Sequence, residues 1–256
     1  GMAERYHQRF FNMIALPEGT TFEVATNRIA GFNVAGPKSR AMLQRLTNAD
    51  LTNEAFRFMR SRTIEVAGVT CLAIRVSFTG DLGWELHCAE ADQVTLYTAL
   101  LAAAKDLGGG PVGARALGSL RIEKGYGSWG REYSQEYWPQ EVGLAGLIKL
   151  DKDFLHKEAY LKIKDTAPRE VLTFFEIDAA HDADASGGEP IFTPEGKSVG
   201  RVTSGAYGYS VGKSLAIGYA NPQVAVPGDT VEVMILGIPH KARILHEAPF
   251  DPEGKR

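Results

Sequence analysis

Only two cysteines occur in the 256 residues, Cys71 and Cys88, and both stand in strand-like segments. Two cysteines make no disulfide framework, and no histidine lies at metal-ligand spacing beside them, which excludes a disulfide scaffold and a structural zinc site. Such sparing cysteine use points to a reducing compartment, the cytoplasm or, in a eukaryote, the mitochondrial matrix. Charge of one sign is also lacking: 28 Lys and Arg stand against 31 Asp and Glu, a net charge of −3. No basic field attracts nucleic acid or an anionic membrane. Apolar runs fall far short of the roughly 20 residues that span a bilayer, and no charged-then-apolar signal peptide opens the chain. No Gly-x-Gly-x-x-Gly follows a strand, so no Rossmann flavin or nicotinamide site is encoded in these residues. Gly-x-Ser-x-Gly, His-Glu-x-x-His, Walker A and Cys-x-x-Cys patterns are likewise missing.

What is present is the profile of a globular chain, 44% hydrophobic and 23% charged, long enough for one large domain or two ordinary ones. Residues 3–14 read as an amphipathic helix with Tyr6, Phe10, Met13 and Ile14 on one face. Phe22–Ala25 and Ile29–Val34 read as strands, and Ser39–Leu46 as a short helix. Ile64–Val66 and Cys71–Phe78 alternate as strands. In the latter, Leu72, Ile74, Val76 and Phe78 share one face and Ala73, Arg75 and Ser77 the other. A partner strand follows Thr79-Gly80-Asp81, with Leu82, Trp84 and Leu86 opposite Gly83, Glu85 and His87, which predicts a β-hairpin. Helices are expected at Ala91–Leu107, closed by Gly108-Gly109-Gly110, at 112–124, and at Phe154–Ile163 with Asp153 as its cap. Beyond Thr166-Ala167-Pro168 only strands and turns remain: Val171–Ile177, Pro190–Phe192, Val199–Ser204, Leu215–Tyr219, Val231–Leu236 and Ala242–His246. The expected fold class is therefore α+β, with an α+β domain over residues 1–165 and an all-β barrel or jelly-roll domain over 166–256.

Among residues able to carry chemistry, Glu85 stands first. A carboxylate on the strand face opposite Trp84 and Leu86 can accept two hydrogen bonds from a flat donor edge. Alternation alone places a solvated charge there equally well. Arg121, late in a helix, can clamp a carboxylate or ring carbonyl, or it can simply favour the helix C-terminus. Trp84, Tyr126, Trp129, Tyr133, Tyr137 and Trp138 offer flat apolar surface, either for a heterocycle or for packing. The Gly- and Ser-rich stretch Ser204–Ser210 reads as a loop.

Four stretches together resemble a known family. Ile74-Arg75-Val76-Ser77-Phe78-Thr79-Gly80-Asp81-Leu82-Gly83-Trp84-Glu85-Leu86 is similar to the hairpin of the aminomethyltransferase, or glycine cleavage T-protein, family. Leu120-Arg121-Ile122-Glu123-Lys124 is similar to its helix end, and Gly36-Pro37-Lys38-Ser39-Arg40 to its turn. Gly200–Gly205 followed by Ser214–Tyr219 is similar to its C-terminal barrel signature. Order and spacing match the C-terminal regions of dimethylglycine and sarcosine dehydrogenases from about Thr20 onward.

The resemblance implies a tetrahydrofolate-binding fold that takes a one-carbon unit from a methylated amine, as part of a larger flavoenzyme whose flavin domain or subunit lies elsewhere. By that resemblance, Glu85 holds the pterin, Phe78 replaces the family's tyrosine and keeps its stacking surface without the hydroxyl, and Asp81 replaces a glutamate. Arg121, Trp84 and Tyr126 complete the expected folate-binding set. Tetrahydrofolate is the expected cofactor, with no flavin or metal site in this chain, and the expected partners are small molecules, not nucleic acid or membrane. The family's first lobe begins upstream of the segment matching Thr20 and carries an acidic residue near the reacting edge of the folate. Nothing here matches that stretch, so the first domain is expected to be truncated at its N-terminus, and no residue is assigned the catalytic acid. The alternatives are a degenerate folate-binding protein that transfers nothing, or a folate-dependent demethylase of another methyl donor. A relation to the folate-dependent iron–sulfur assembly proteins is disfavoured, because Lys124-Gly125-Tyr126-Gly127 lacks their motif's cysteine.

Overall fold

The structure, a computed structural model, describes residues 4–179 and 183–254. Helix α1 spans Glu4–Met13, and none of its residues is buried. The strand expected at Phe22–Ala25 does not form: those residues pair with no strand of the sheets. A four-stranded antiparallel sheet follows, in the order β1-β4-β3-β2, built from β1 (Ile29–Ala35), β2 (Ser61–Val66), β3 (Val69–Ile74) and β4 (Gly83–Ala89). Helices α2 (Ser39–Gln44) and α3 (Gln93–Lys105) cover one face. Their Met42, Leu43, Leu96 and Leu100 meet Ala30, Val66, Cys71, Ala73, Trp84 and Leu86 in a single core.

In β3 the small residues Cys71 and Ala73 point into this core and Leu72 is exposed. The larger apolar side chains that alternate with them therefore face the open side of the sheet. The volume beneath the strand is already filled by Trp84, Phe56 and the helices, which leaves room only for small groups. The strand expected to run to Phe78 stops at Ile74, and Arg75 bonds the segment that precedes β2. Its backbone N–H donates to the Arg60 carbonyl and its guanidinium to the Phe56 carbonyl and Asn53. The expected β-hairpin forms, β3 pairing antiparallel with β4, and its connection is a loop over 75–82.

Helix α3 ends where glycine allows it. Gly108 has φ +78°, its N–H meets the Lys105 carbonyl, and the Gly109 N–H meets the Ala104 carbonyl, a Schellman motif. Helix α4 (Ala114–Glu123) ends the same way at Gly125. Helix α5 (Lys157–Ile163) starts later than the sequence suggests: its cap is His156 in a left-handed conformation, and Asp153 makes no capping bond. Among the described residues no helix is long and apolar enough to cross a membrane.

The remainder closes into a barrel in the order β10-β5-β8-β7-β6-β9. Its strands are β5 (Val171–Ile177), β6 (Pro190–Phe192), β7 (Ser198–Gly208), β8 (Lys213–Ala220), β9 (Thr230–Ile235) and β10 (Ile238–Leu245). The α+β lobe followed by an all-β barrel is the fold class that the pattern of apolar runs and turns implies. One expectation fails: Ser204–Gly208 is strand, not loop. It pairs with β8 through Tyr207 opposite Ser214, after an irregularity between Val202 and Ser204. The glycines serve close backbone approach there. A Cβ on Gly200 would lie 2.0 Å from the Tyr219 carbonyl oxygen. Gly200→Ala should therefore cost about 1–3 kcal/mol through overpacking, read as a lowered urea midpoint with an unchanged slope.

Candidate functional site

Strand β4 separates two jobs by its period of two. Trp84, Leu86 and Cys88 point into the core, while Glu85 and His87 point to the open face. Burial pushes the Cys71 thiol up to about 11, so it is inert at neutral pH. Trp84 is fully buried, and the guanidinium groups of Arg40 and Arg75 lie 5.9 and 5.8 Å from its ring centre. It stiffens the sheet behind Glu85 and presents no surface on Glu85's side.

On the open face Glu85 sits opposite Asn33 of β1 and Ile74 of β3, and His87 sits opposite Gly31 and Leu72. The Glu85 carboxylate is about one-third exposed, and its nearest charge partner is His87, with Nε2 3.5 Å from Oε2. Among the described residues no lysine or arginine bridges it. The result is an acceptor-rich carboxylate on a floor partly paved by Leu72 and Ile74, suited to a flat molecule with paired N–H donors.

Phe78 lies in the 75–82 loop and is 41% exposed, so its ring is free to cover a ligand. That loop is held at both ends. The Leu82 carbonyl accepts from the Gly36 N–H and the Ser39 hydroxyl. Gly80, at φ +78°, rests on the Lys124 stem, where any Cβ would fall 2.2 Å from its Cγ. Lys124 is itself buried, bonded through Nζ to Asp251 at 2.7 Å. Burial pushes the nearby Asp81 carboxyl up, and the Lys124 charge opposes that rise. Tyr126, partly exposed, follows the end of α4, two residues after Lys124.

Arg121 is neither a surface residue nor an open clamp. It is 5% exposed, and its guanidinium donates to Glu132 Oε2 at 3.1 Å, to the Tyr126 carbonyl at 3.0 Å and to Ser204 Oγ at 2.6 Å. Glu132 accepts in addition from the Ser128 N–H, Thr203 and Ser204, and its own carbonyl accepts from the Tyr219 hydroxyl. Burial alone would raise the Glu132 carboxyl. The hydrogen bonds from Ser204, Thr203 and the Ser128 amide, with the Arg121 charge, hold it below the ordinary value. Tyr137 stacks on Tyr219 at 3.7 Å, and Trp138 lies under the Arg169 guanidinium at 5.1 Å. These aromatics pack the 126–141 segment against the barrel, whereas Trp129 is exposed. The structure thus leaves Glu85, Phe78 and Tyr126 partly exposed and gives Arg121 and Trp84 internal partners.

Asn33, His87 and Glu132 were not singled out from the sequence. The alternation that marked Glu85 also marks His87, two residues on. Asn33 and Glu132 become visible only through strand pairing and lobe contact. Among the described residues no group of three or more His, Cys, Asp or Glu is placed to hold a metal ion.

Two outcomes test this electrostatic frame. Glu132→Gln should destabilise the fold by about 3–5 kcal/mol, because it leaves the buried guanidinium uncompensated, measured by equilibrium unfolding in urea. Glu141 is the second. Its hydrogen bonds from Arg169 (2.9 and 2.8 Å), against burial and aided by the Trp138 and Arg169 amides, hold its carboxyl down to about 2. A depressed carboxyl stabilises the fold above its unfolded value of 4.5 and loses that contribution as pH falls toward about 2. The thermal midpoint should fall across that window, and less steeply in Glu141→Gln, which starts lower.

Comparisons with known proteins agree with this architecture. The GCVT N-terminal domain family model matches residues 2–152, and the glycine cleavage T-protein C-terminal barrel domain matches residues 171–251. Mitochondrial dimethylglycine dehydrogenase of Mus musculus is 37% identical over 96% of this chain and 28% of its own length. An aminomethyltransferase of Caldanaerobacter subterraneus is 32% identical over 87% of this chain and 59% of its own. The chain thus spans little more than a quarter of the dehydrogenase. The crystal structure of glycine cleavage system aminomethyltransferase T from Bartonella henselae superposes with a TM-score of 0.74 at 24% identity, over 87% of this chain and 59% of that one, which shows the shared fold. With both domain types matched in order along the sequence, the chain belongs to the glycine cleavage T-protein family.

Proposed function

We propose that this chain supplies a tetrahydrofolate site that receives a one-carbon unit, and that it works as the C-terminal portion of a larger flavoenzyme oxidising a methylated amine of the dimethylglycine or sarcosine type. The observation that carries the reading is Glu85: a carboxylate with no lysine or arginine bridge among the described residues, on an inner strand of an open sheet face, with apolar neighbours Leu72 and Ile74. The 2-amino-4-oxo edge of a pterin presents two adjacent N–H donors, and one carboxylate accepts both in a directional, charge-assisted pair. Phe78 stacks on the ring system and Tyr126 borders it, both side chains being exposed. Trp84 and Arg121 act from behind, the first by fixing the strand that carries Glu85, the second by fixing α4. Tetrahydrofolate, when bound, supplies the amine nitrogens that take up the carbon. The relatives' names support an amine donor, and the dehydrogenases' greater length leaves room for a flavin domain or subunit.

The test is calorimetric titration with 5-formyltetrahydrofolate. Micromolar binding is expected, weakened at least tenfold by Glu85→Ala, since a charged acceptor contributes about 1.5–3 kcal/mol. Absence of binding at millimolar ligand would refute the reading. Formation of methylene-tetrahydrofolate from formaldehyde above the spontaneous rate would distinguish transfer from mere retention of the folate.

A further inference from the structure

We infer that His87 is a positioning residue for Glu85, and that Gly31 is the residue that makes room for it. The inference rests on the folate reading and extends it to a residue outside the expected set. His87 follows Glu85 by two positions on β4, so both side chains leave the same face. Its Nε2 lies 3.5 Å from Glu85 Oε2, a contact longer than a closed N–H···O bond. Such contacts shorten when a ligand fills a site, and a movement of about half an ångström closes this one.

The other side of the imidazole is fixed by the neighbouring strand. Gly31 is directly opposite His87 in the β1–β4 register. A Cβ there would lie 3.3 Å from Nδ1 and 3.5 Å from Cε1 of the ring. The ring therefore lies over bare backbone where any other residue would press on it. Gly31 has no positive φ, so its backbone does not require glycine; the space above it does. Glycine is otherwise unfavourable in a strand interior.

The chemical consequence is orientation. A carboxylate on a two-carbon stem swings freely and must be ordered when it takes a ligand, at an entropic cost. With that contact closed, an Nε2–H donor on Oε2 narrows that freedom. It leaves the remaining lone pairs of both oxygens directed to the open face, where paired N–H donors of the pterin arrive. His87 touches Glu85 and acts on the ligand through it.

The experiment compares 5-formyltetrahydrofolate affinity across variants of the whole chain. His87→Leu keeps the bulk and removes the donor. His87→Gln keeps an N–H donor on a different frame. Affinity is expected to fall roughly tenfold in the leucine variant and to return to within about threefold of wild type in the glutamine variant, with thermal midpoints unchanged in both. Gly31→Ala, which crowds the ring, should weaken binding when His87 is present and add nothing in the His87→Leu background. Wild-type affinity in His87→Leu, or equal loss in the leucine and glutamine variants, overturns the positioning role while leaving the folate site standing. Failure of the wild-type chain to bind at all overturns both.

Discussion

The buried ion pair between Arg121 and Glu132 is the constraint on which the two lobes depend. Both side chains are withdrawn from water, at a cost of several kcal/mol for each ion before pairing. The surroundings offset this by leaving neither charge short of partners. Ser204 links the two, accepting from Arg121 and donating to Glu132, and Thr203 and the Ser128 N–H complete the carboxylate. Those partners come from α4, the 126–133 turn and strand β7, so the pair forms only when lobe and barrel are in register. An apolar contact of Ile122 with Leu215 and Ile217 lies beside it, and Ser119 Oγ donates to the Tyr207 carbonyl at 2.6 Å. Apolar burial supplies the attraction, and the polar network selects one arrangement.

From that anchor the open face is set by short steps. Helix α4 is fixed to the barrel, and its end carries Lys124. Lys124 is pinned by Asp251 near the C-terminus, while the Phe250 N–H bonds the Glu123 carbonyl. The Lys124 stem in turn supports Gly80, and so the loop bearing Phe78. Strand β4 is held independently, by Trp84 in the core of the first lobe. Phe78 and Glu85, seven residues apart, thus take their positions from two different cores. The 75–82 segment is bonded to the sheet's surroundings at its ends and lies in no strand between them, which lets it answer to both.

Much of this was legible in the residues. Turn chemistry and period-two alternation fixed most barrel strands within a few residues, because a closed antiparallel barrel has one face in the core and one in solvent along each strand. The inward set of β4 followed from Trp84, Leu86 and Cys88. The misjudged places share a cause. The strand expected at Phe22–Ala25 found no partner in the sheets. Ser204–Gly208 looked like a loop, yet its glycines are what close packing against Ala185 and Leu215 requires. Asp153 looked like a cap, but the chain turns at His156 instead. In each case the deciding atoms are remote in sequence.

What the sequence by itself determined is the order of elements, the α+β-then-barrel plan and the presence of an outward carboxylate at Glu85. These depend on local propensities and on the repeat of apolar positions, which neighbours along the chain specify. What only the tertiary structure decided is the company each functional residue keeps. Arg121 gained an internal acid eleven residues away and a serine eighty-three residues away, which turned a prospective ligand clamp into an interlobe anchor. Glu85 gained Asn33 and the Gly31-seated His87 through pairing of β1 with β4. Electrostatic partnership depends on separations of a few ångströms in space, and folding sets those separations between residues that the chain order keeps apart.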